Sequence, residues 1–219
     1  MGPKNLAVGL VLAAALFAGL LVALRSSTPA EPIAAFVLPE PLPLPEFSLV
    51  DQRGDLVNPE TFENQWHLVF FGFTNCPDIC PATLQILAAA RARLAEDGFV
   101  PLPRIALVSV DPERDTPEQI GQYVNYFGDD NLGVTGSLEE LLKLTSSLGI
   151  YFEKQAGDSE NYAVDHAAAV LLFNPEGRFH ALFSNFLLHA GKDINQLCSH
   201  RGAVFFVVCK AFMAPGGSS

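Results

Sequence analysis

The sequence predicts an α/β domain in which helices alternate with the strands of a partly parallel sheet. Nearly continuous apolar runs, Trp66 to Phe73 and Ile105 to Val110, indicate two strands buried on both faces. Between them, apolar residues recur at helical spacing from Ile79 to Leu94, and Gly98 ends the repeat. Because strand, helix and strand follow one another in the chain, the two strands are expected to be parallel.

Further elements flank this core. Glu46 to Val57 predicts a small hairpin, and N-caps at Thr116 and Ser137 predict two more helices. Ala169 to Phe173 and Arg178 to Phe183 predict a closing hairpin around a turn that contains Pro and Gly. The order hairpin, strand, helix, strand, helix, helix, hairpin predicts a thioredoxin-like α/β sandwich with a central mixed sheet and an N-terminal hairpin.

Composition excludes some classes of protein. The chain has 219 residues, of which 49% are hydrophobic and 17% charged, so a buried core is expected and general disorder is not. A formal net charge of −11 argues against binding to nucleic acid, because phosphates are neutralised by Lys and Arg. Four cysteines are too few and too unevenly spaced for a disulfide-stapled scaffold.

The N-terminal residues predict a membrane anchor. Asn5 to Leu24 contains no charge, and as a helix it would extend about 30 Å, the thickness of a bilayer core. Lys4 favours a cytoplasmic N-terminus, so residues 1–28 are expected to hold the domain on the opposite side. A cleaved signal peptide is the alternative, and it places the domain on that same side. Without an Arg- and Ser-rich presequence, the bacterial inner membrane, with the domain in the periplasm, is favoured over the mitochondrial inner membrane.

Three segments are predicted after the anchor. Residues 29–45 contain six prolines and are expected to form a semi-rigid, polyproline-like spacer. Residues 46–190 form the expected thioredoxin-like domain. Residues 191–219 form a tail whose apolar run, Ala203 to Cys209, is too short to span a bilayer.

The chemistry of the chain is concentrated at Cys76-Pro77-Asp78-Ile79-Cys80-Pro81, where the first buried strand gives way to the first helix. With Asp78 as N-cap, Cys80 lies in the first turn, where unpaired N–H groups and the helix dipole stabilise a thiolate. Such a pair can exchange with a disulfide, or it can bind a soft cation such as Cu(I). Two inert core cysteines are the third interpretation, which the flanking prolines disfavour.

A third ligand for a soft ion would come from one of five histidines: His67, His166, His180, His189 and His200. Imidazole binds copper in either oxidation state. His67 and His180 fall in predicted strands, and His189 and His200 in a poorly patterned region. His166 is expected in a loop before the strand Ala169 to Phe173, with Asp165 as a possible orienting partner. The residues alone leave it one candidate among five.

The chain resembles the Sco/SenC proteins, which are copper-binding assembly factors for cytochrome c oxidase, over about Phe47 to Phe183. Three motifs in the family's order carry the resemblance: Phe71-Gly72-Phe73-Thr74-Asn75-Cys76-Pro77-Asp78-Ile79-Cys80-Pro81, Val108-Ser109-Val110-Asp111-Pro112-Glu113-Arg114-Asp115-Thr116-Pro117 and Val164-Asp165-His166. The resemblance implies a thioredoxin-like fold, an N-terminal membrane helix and copper ligands at Cys76, Cys80 and His166. The family's C-terminal amphipathic helix is not evident after Ser184, and Cys198 and Cys209 match nothing in the family.

Function is expected to follow from this resemblance. It implies a metallochaperone that carries Cu(I) or Cu(II) to the oxidase subunit with the Cu-A centre, with other copper chaperones as further partners, rather than an enzyme. A thiol–disulfide oxidoreductase that reduces the Cu-A cysteines through a Cys76–Cys80 disulfide is the main alternative. A thiol peroxidase, which this fold also supports, and a copper or redox sensor are the others.

Overall fold

The computed structural model describes residues 35–155, 162, 164–166 and 169–183. The predicted anchor and the predicted tail lie outside these residues, as do His189, His200, Cys198 and Cys209. In the described part of the chain, no helix combines the length and apolarity that crossing a membrane requires.

The described strands form a large mixed sheet of eight strands and a separate two-stranded ribbon. The large sheet has the order β1-β10-β9-β4-β5-β6-β2-β3, and β4, β5 and β6 run parallel at its centre. The elements in chain order are β1 (Ala35–Pro43), β2 (Leu49–Asp51), β3 (Leu56–Val57), a 3₁₀ turn (Pro59–Phe62), β4 (His67–Gly72), α1 (Ile79–Glu96), β5 (Arg104–Ser109), α2 (Pro117–Asn125), β6 (Leu132–Thr135), α3 (Leu138–Ser147), β7 (Phe152–Lys154), β8 (Val164–His166), β9 (Val170–Phe173) and β10 (Arg178–Phe183).

The central strands are buried on both faces, as their continuous apolar runs predict. On β4, Val69 and Phe71 belong to the core that also contains residues of α3, while Leu68 and Phe70 face the core beneath α1 and α2. Every residue of β4 is buried. Helices therefore cover both faces of a mixed sheet, and the predicted thioredoxin-like sandwich with its small β2–β3 hairpin is confirmed.

Four elements differ from the sequence prediction: β1, β6, β7 and β8. Ala35–Pro43, within the predicted spacer, forms edge strand β1 against β10, where proline is tolerated because one side of an edge strand needs no N–H donors. A semi-rigid, polyproline-like spacer is predicted there, whereas these residues pair with β10. The sequence analysis does not predict the short buried strand β6, between α2 and α3, or the short strand β7. His166 ends strand β8 rather than lying in a loop.

The topology brings the site residues to one edge of the sheet. β4 and β5 are parallel and in register, so Gly72 and Ser109, their last residues, are partners. α1 begins seven residues after Gly72, and the loop after β5 leads into α2. The segments that connect strands to helices therefore meet at the carboxyl ends of the parallel strands, where α/β sheets commonly bind ligands.

A reciprocal cap starts α2 beside this edge. The Gln119 N–H donates to Thr116 Oγ1 at 3.3 Å, and the Thr116 N–H donates to Gln119 Oε1 at 3.0 Å. The predicted capping box is thus confirmed. It satisfies backbone donors that the first helical turn would otherwise leave unpaired.

Removing this cap should destabilise the domain. Thr116→Ala is expected to lower the free energy of unfolding by about 1 kcal/mol, measured by urea denaturation. Ser146→Ala, at an exposed position inside α3, is the control and should leave the midpoint unchanged or slightly raised. Equal midpoints for wild type and Thr116→Ala would contradict the assigned role of the cap.

Candidate metal centre

A buried carboxylate anchors the loop between β4 and α1. Asp115 accepts hydrogen bonds from the Thr74 N–H at 3.1 Å, from Thr74 Oγ1 at 2.5 Å and from Ser109 Oγ at 2.6 Å. Burial raises the pKa of Asp115, and these donors oppose that rise. The loop that leads to Cys76 is thus tied to the loop after β5.

The two sulfurs meet at the start of α1. Asp78 occupies the N-cap position, as predicted, but its side chain makes no capping hydrogen bond. Instead, the Cys80 N–H donates to Cys76 Sγ at 3.4 Å. Sulfur thereby accepts one of the helix-terminal donors that a polar cap would normally satisfy. Cys76 is half-buried and Cys80 fully buried, and both are free thiols.

His166 completes the group from β8, eighty-six positions beyond Cys80 in the chain. Its Nε2 lies 3.6 Å from Cys80 Sγ. The imidazole is fixed by edge-to-face contacts with Phe70 and Phe73, with ring centroids 5.9 and 5.7 Å away. Cys76, Cys80 and His166 each present one ligand atom, and these atoms all lie within 4.8 Å of one another. The structure therefore brings together all three predicted ligands.

The carboxylate expected to orient His166, that of Asp165, has another hydrogen-bond partner. The Asp165 carboxylate accepts a hydrogen bond from Gln155. Asp165 is exposed, while His166 is half-buried. Successive residues of a strand point to opposite faces, so the side chains of Asp165 and His166 point away from each other.

Two other histidines lie in the described residues, away from the cysteines. His67 begins β4, is fully buried and packs edge-on against Phe62 with centroids 5.1 Å apart. Burial lowers the pKa of His67 to about 4, so it is a neutral core residue at pH 7. His180 packs against Trp66 with centroids 5.3 Å apart. Both lie in strands, as the sequence predicts, and both make packing contacts.

The two thiols are electrostatically unequal. The hydrogen bond from the Cys80 thiol lowers the pKa of Cys76 to about 4, and contacts with His166 and the N–H groups of Cys80 and Asp78 act in the same direction against burial. The same sulfur–sulfur hydrogen bond, together with burial, raises the pKa of Cys80. At neutral pH the pair therefore consists of a Cys76 thiolate and a Cys80 thiol.

Sequence reasoning missed the role of Gly72. A Cβ added there would lie 2.7 Å from Cys80 Sγ and 2.8 Å from Cε1 of Phe70, closer than real Cβ atoms approach. A glycine at this position leaves the space that the buried sulfur occupies. In the sequence, this role of Gly72 is indicated only by its position directly before the cysteine loop.

A thioredoxin-like fold with two thiols and an imidazole at the helix start defines the class of this protein: a dithiol protein able to bind a soft metal or to exchange with disulfides. A model of the SCO1/SenC family matches residues 40–195. The chain belongs to the SCO1/SenC family.

Relatives in bacteria and mitochondria share the domain. A Stutzerimonas stutzeri protein whose name describes it as copper-binding is 36% identical over 141 residues, which are 64% of this chain and 69% of that protein. The mitochondrial SCO2 homologue of Bos taurus is 40% identical over 141 residues, 64% of this chain and 53% of that protein. The chain thus matches about half the length of the mitochondrial relative.

Solved structures agree with the fold. Arabidopsis thaliana ScoI, solved with copper bound, has a TM-score of 0.66 and 33% identity, over 78% of this chain and 98% of that one. BsSco has a TM-score of 0.51 and 25% identity, over 66% of this chain and 84% of that one. It is described as having a disulfide switch and as a member of the Sco family of cytochrome c oxidase assembly proteins.

The lowered pKa of Cys76 predicts the pH dependence of its alkylation. In a reduced Cys198→Ser/Cys209→Ser background, the thiolate fraction of Cys76 should stay constant as the pH falls and then drop with a midpoint of about 4. Iodoacetamide trapping with mass spectrometry measures this midpoint. Because the folded pKa lies below the unfolded value of 9.0, the associated stabilisation is complete above pH 9.0 and is lost as the pH falls towards about 4. A midpoint near 9 in the folded protein would contradict the assignment.

Gly72→Ala should disturb the sulfur pair. Overpacking is expected to cost about 1–3 kcal/mol of unfolding free energy, and displacing Cys80 should raise the alkylation midpoint of Cys76. Gly133→Ala is the matched control in β6, where the added Cβ would meet the Ile120 side chain at 3.1 Å, far along the chain from the cysteine loop. An unchanged midpoint in Gly72→Ala would show that the glycine does not make room for the sulfur.

Proposed function

We propose that this chain binds one copper ion through Cys76, Cys80 and His166 and delivers it to the Cu-A centre of cytochrome c oxidase. The observation that carries the proposal is the convergence of three ligand atoms within 4.8 Å, supplied by a helix start and a distant strand. Other groups of three or more metal-binding side chains at such spacing are not found in the described part of the chain.

The donor set suits copper. Thiolate sulfur selects soft ions such as Cu(I), and imidazole binds Cu(I) and Cu(II) alike. With metal–ligand bonds of roughly 2.0–2.3 Å, ligand atoms around a trigonal ion would lie about 3.5–4 Å apart. The 3.6 Å between Cys80 Sγ and His166 Nε2 already falls in that range. An ion therefore requires only small side-chain adjustments.

Partial exposure suits an ion that is cargo rather than a permanent component. Cys80 is buried, but Cys76 and His166 are half-buried, and Pro77, Asp78 and Ile79 between the cysteines are exposed. A partner's ligands can approach from this side and replace the chain's own ligands one at a time. The recipient on this proposal is the oxidase subunit that carries the Cu-A site, with other copper chaperones as suppliers.

The proposed location is the outer face of a bacterial inner membrane. The uncharged run Asn5 to Leu24 supports a single anchor, and the domain would then face the periplasm. Residues 29–34 remain as a proposed spacer before β1. On this proposal the chain is not an enzyme, because it passes an ion from its own ligands to those of the recipient and makes or breaks no covalent bond in a substrate.

A thiol–disulfide oxidoreductase is the second candidate, favoured by the contact between the two sulfurs. The reduced Cys76 thiolate would attack a disulfide of the oxidase subunit, and the Cys80 thiol would then resolve the mixed disulfide, giving its proton to the leaving thiolate. The oxidase cysteines would be reduced and Cys76–Cys80 oxidised. This step uses both cysteines, which a thiol peroxidase does not require for its first oxidation.

Ligand substitutions test the copper proposal. Full-length protein in the Cys198→Ser/Cys209→Ser background is expected to bind one Cu(I) per chain. Cys76→Ala, Cys80→Ala and His166→Ala should each lower affinity at least about tenfold in competition with bicinchoninate, because each removes a ligand. His180→Ala is the matched control and should bind like wild type, since its ring packs against Trp66.

The same variants separate the two candidate functions. Copper transfer to a reduced Cu-A domain should require all three residues, whereas reduction of the oxidised Cu-A domain should require only Cys76 and Cys80. Undiminished copper affinity in His166→Ala would contradict the ligand role of the imidazole. Reduction without measurable copper transfer by wild-type protein would favour the oxidoreductase.

A further inference from the structure

His166 lies on the β7–β8 ribbon, which is not hydrogen-bonded to the eight-stranded sheet. The β7–β8 ribbon consists of Phe152–Lys154 and Val164–His166, paired antiparallel through three residue pairs and separate from the eight-stranded sheet. A two-stranded ribbon alone is at best marginally stable in water. The place of the imidazole beside the cysteines must therefore be fixed by side-chain contacts.

Tyr162, two residues before β8, makes an unusual set of such contacts. Its ring centroid lies 3.7 Å from Cζ of Arg114 and 3.9 Å from Nζ of Lys154. Both cations therefore lie over the same aromatic ring. Each cation is also paired with a carboxylate, which offsets the repulsion between the two: Lys154 with Glu113 at 2.5 Å and Arg114 with Asp111.

The hydroxyl of Tyr162 is fixed as well. It donates to Asp111 Oδ1 at 2.5 Å, while Arg114 Nε donates to the other oxygen of the same carboxylate. Asp111 and Tyr162 are buried, with 3% and 6% of their surfaces exposed. The aromatic ring is thus held by the loop between β5 and α2, the same loop whose Asp115 holds the cysteine segment.

Arg114 connects this stack to the candidate metal centre. Its Cζ lies 5.7 Å from the Phe73 ring centroid, and the Phe73 ring in turn contacts His166 edge-on at 5.7 Å. A continuous line of contacts therefore runs from Tyr162 through Arg114 and Phe73 to the imidazole. Lys154 is the last residue of β7, so its contact with Tyr162 also fixes this strand of the ribbon.

We infer that Tyr162, with Arg114 and Lys154 over its ring, is a positioning residue that holds the β7–β8 ribbon so that His166 faces the two cysteines. Its influence on copper rests on the proposed function, but its influence on the imidazole does not. Tyr162, Arg114 and Lys154 together form a cation–aromatic clamp.

A double-mutant cycle tests the clamp in the full-length Cys198→Ser/Cys209→Ser protein. Tyr162→Leu keeps an apolar side chain in the core but removes the aromatic face and the hydroxyl, and should lower Cu(I) affinity about 10- to 100-fold. In the His166→Ala background the same substitution should have no further effect, because the clamp acts through the imidazole. An equal loss in both backgrounds would overturn the proposal and show a general structural role.

Conservative and control variants sharpen the cycle. Tyr162→Phe retains the cation contacts and should recover most of the affinity that Tyr162→Leu loses. Tyr151→Ala, at an exposed tyrosine next to β7, should bind like wild type. Lys154→Met changes a half-exposed side chain, so it tests the clamp without disturbing the core should Tyr162→Leu fail to fold, and it should lower affinity by a smaller factor. Wild-type affinity in folded Lys154→Met and Tyr162→Leu would overturn the proposal.

A readout without metal distinguishes failure of the clamp from failure of the copper proposal. In reduced, copper-free protein with labelled histidine, nuclear Overhauser contacts between the His166 ring and the Phe70 and Phe73 rings should be present in wild type and in Tyr162→Phe. They should be lost in Tyr162→Leu. Their retention in Tyr162→Leu overturns the clamp even if copper binds; their loss supports the clamp even if wild-type protein binds no copper.

Discussion

The contact between the Cys80 N–H and Cys76 Sγ, at the first turn of α1, is the constraint on which the site depends. It places a sulfur where a helix ordinarily has a capping oxygen, so both thiols are held within one turn. Three neighbouring features support this contact. Gly72 leaves room for the buried sulfur, Asp115 ties down the loop that carries Cys76, and the N–H groups of the first turn stabilise a thiolate.

Two cysteines so arranged are chemically ambivalent, because a stabilised thiolate beside a buried thiol serves metal binding and disulfide exchange equally well. The imidazole makes the difference. In disulfide exchange the two sulfurs do the chemistry and His166 only helps to lower the pKa of Cys76, whereas for an ion the imidazole supplies the third ligand. Several contacts hold this ring in place. Two aromatic side chains contact it, and the cation–aromatic clamp fixes the ribbon that carries it.

Much of this arrangement could be predicted from local sequence, and the rest could not for identifiable reasons. β4, α1 and the caps at Thr116 and Ser137 follow from periodicity and short-range hydrogen bonding, which neighbouring residues determine. β1 was missed because its prolines are compatible with a strand only at a sheet edge, which is a tertiary property. His166 became the preferred histidine only through the family resemblance, since the pairing of β7 with β8 leaves almost no periodic signal in three residues.

X-ray absorption at the copper edge tests the central claim most directly, because it counts the ligand atoms around the ion. The full-length chain without Cys198 and Cys209, loaded with one equivalent of Cu(I), should show two sulfur neighbours and one nitrogen neighbour, the latter lost in His166→Ala. A copper shell of sulfur alone, or one unchanged by that substitution, would contradict the account.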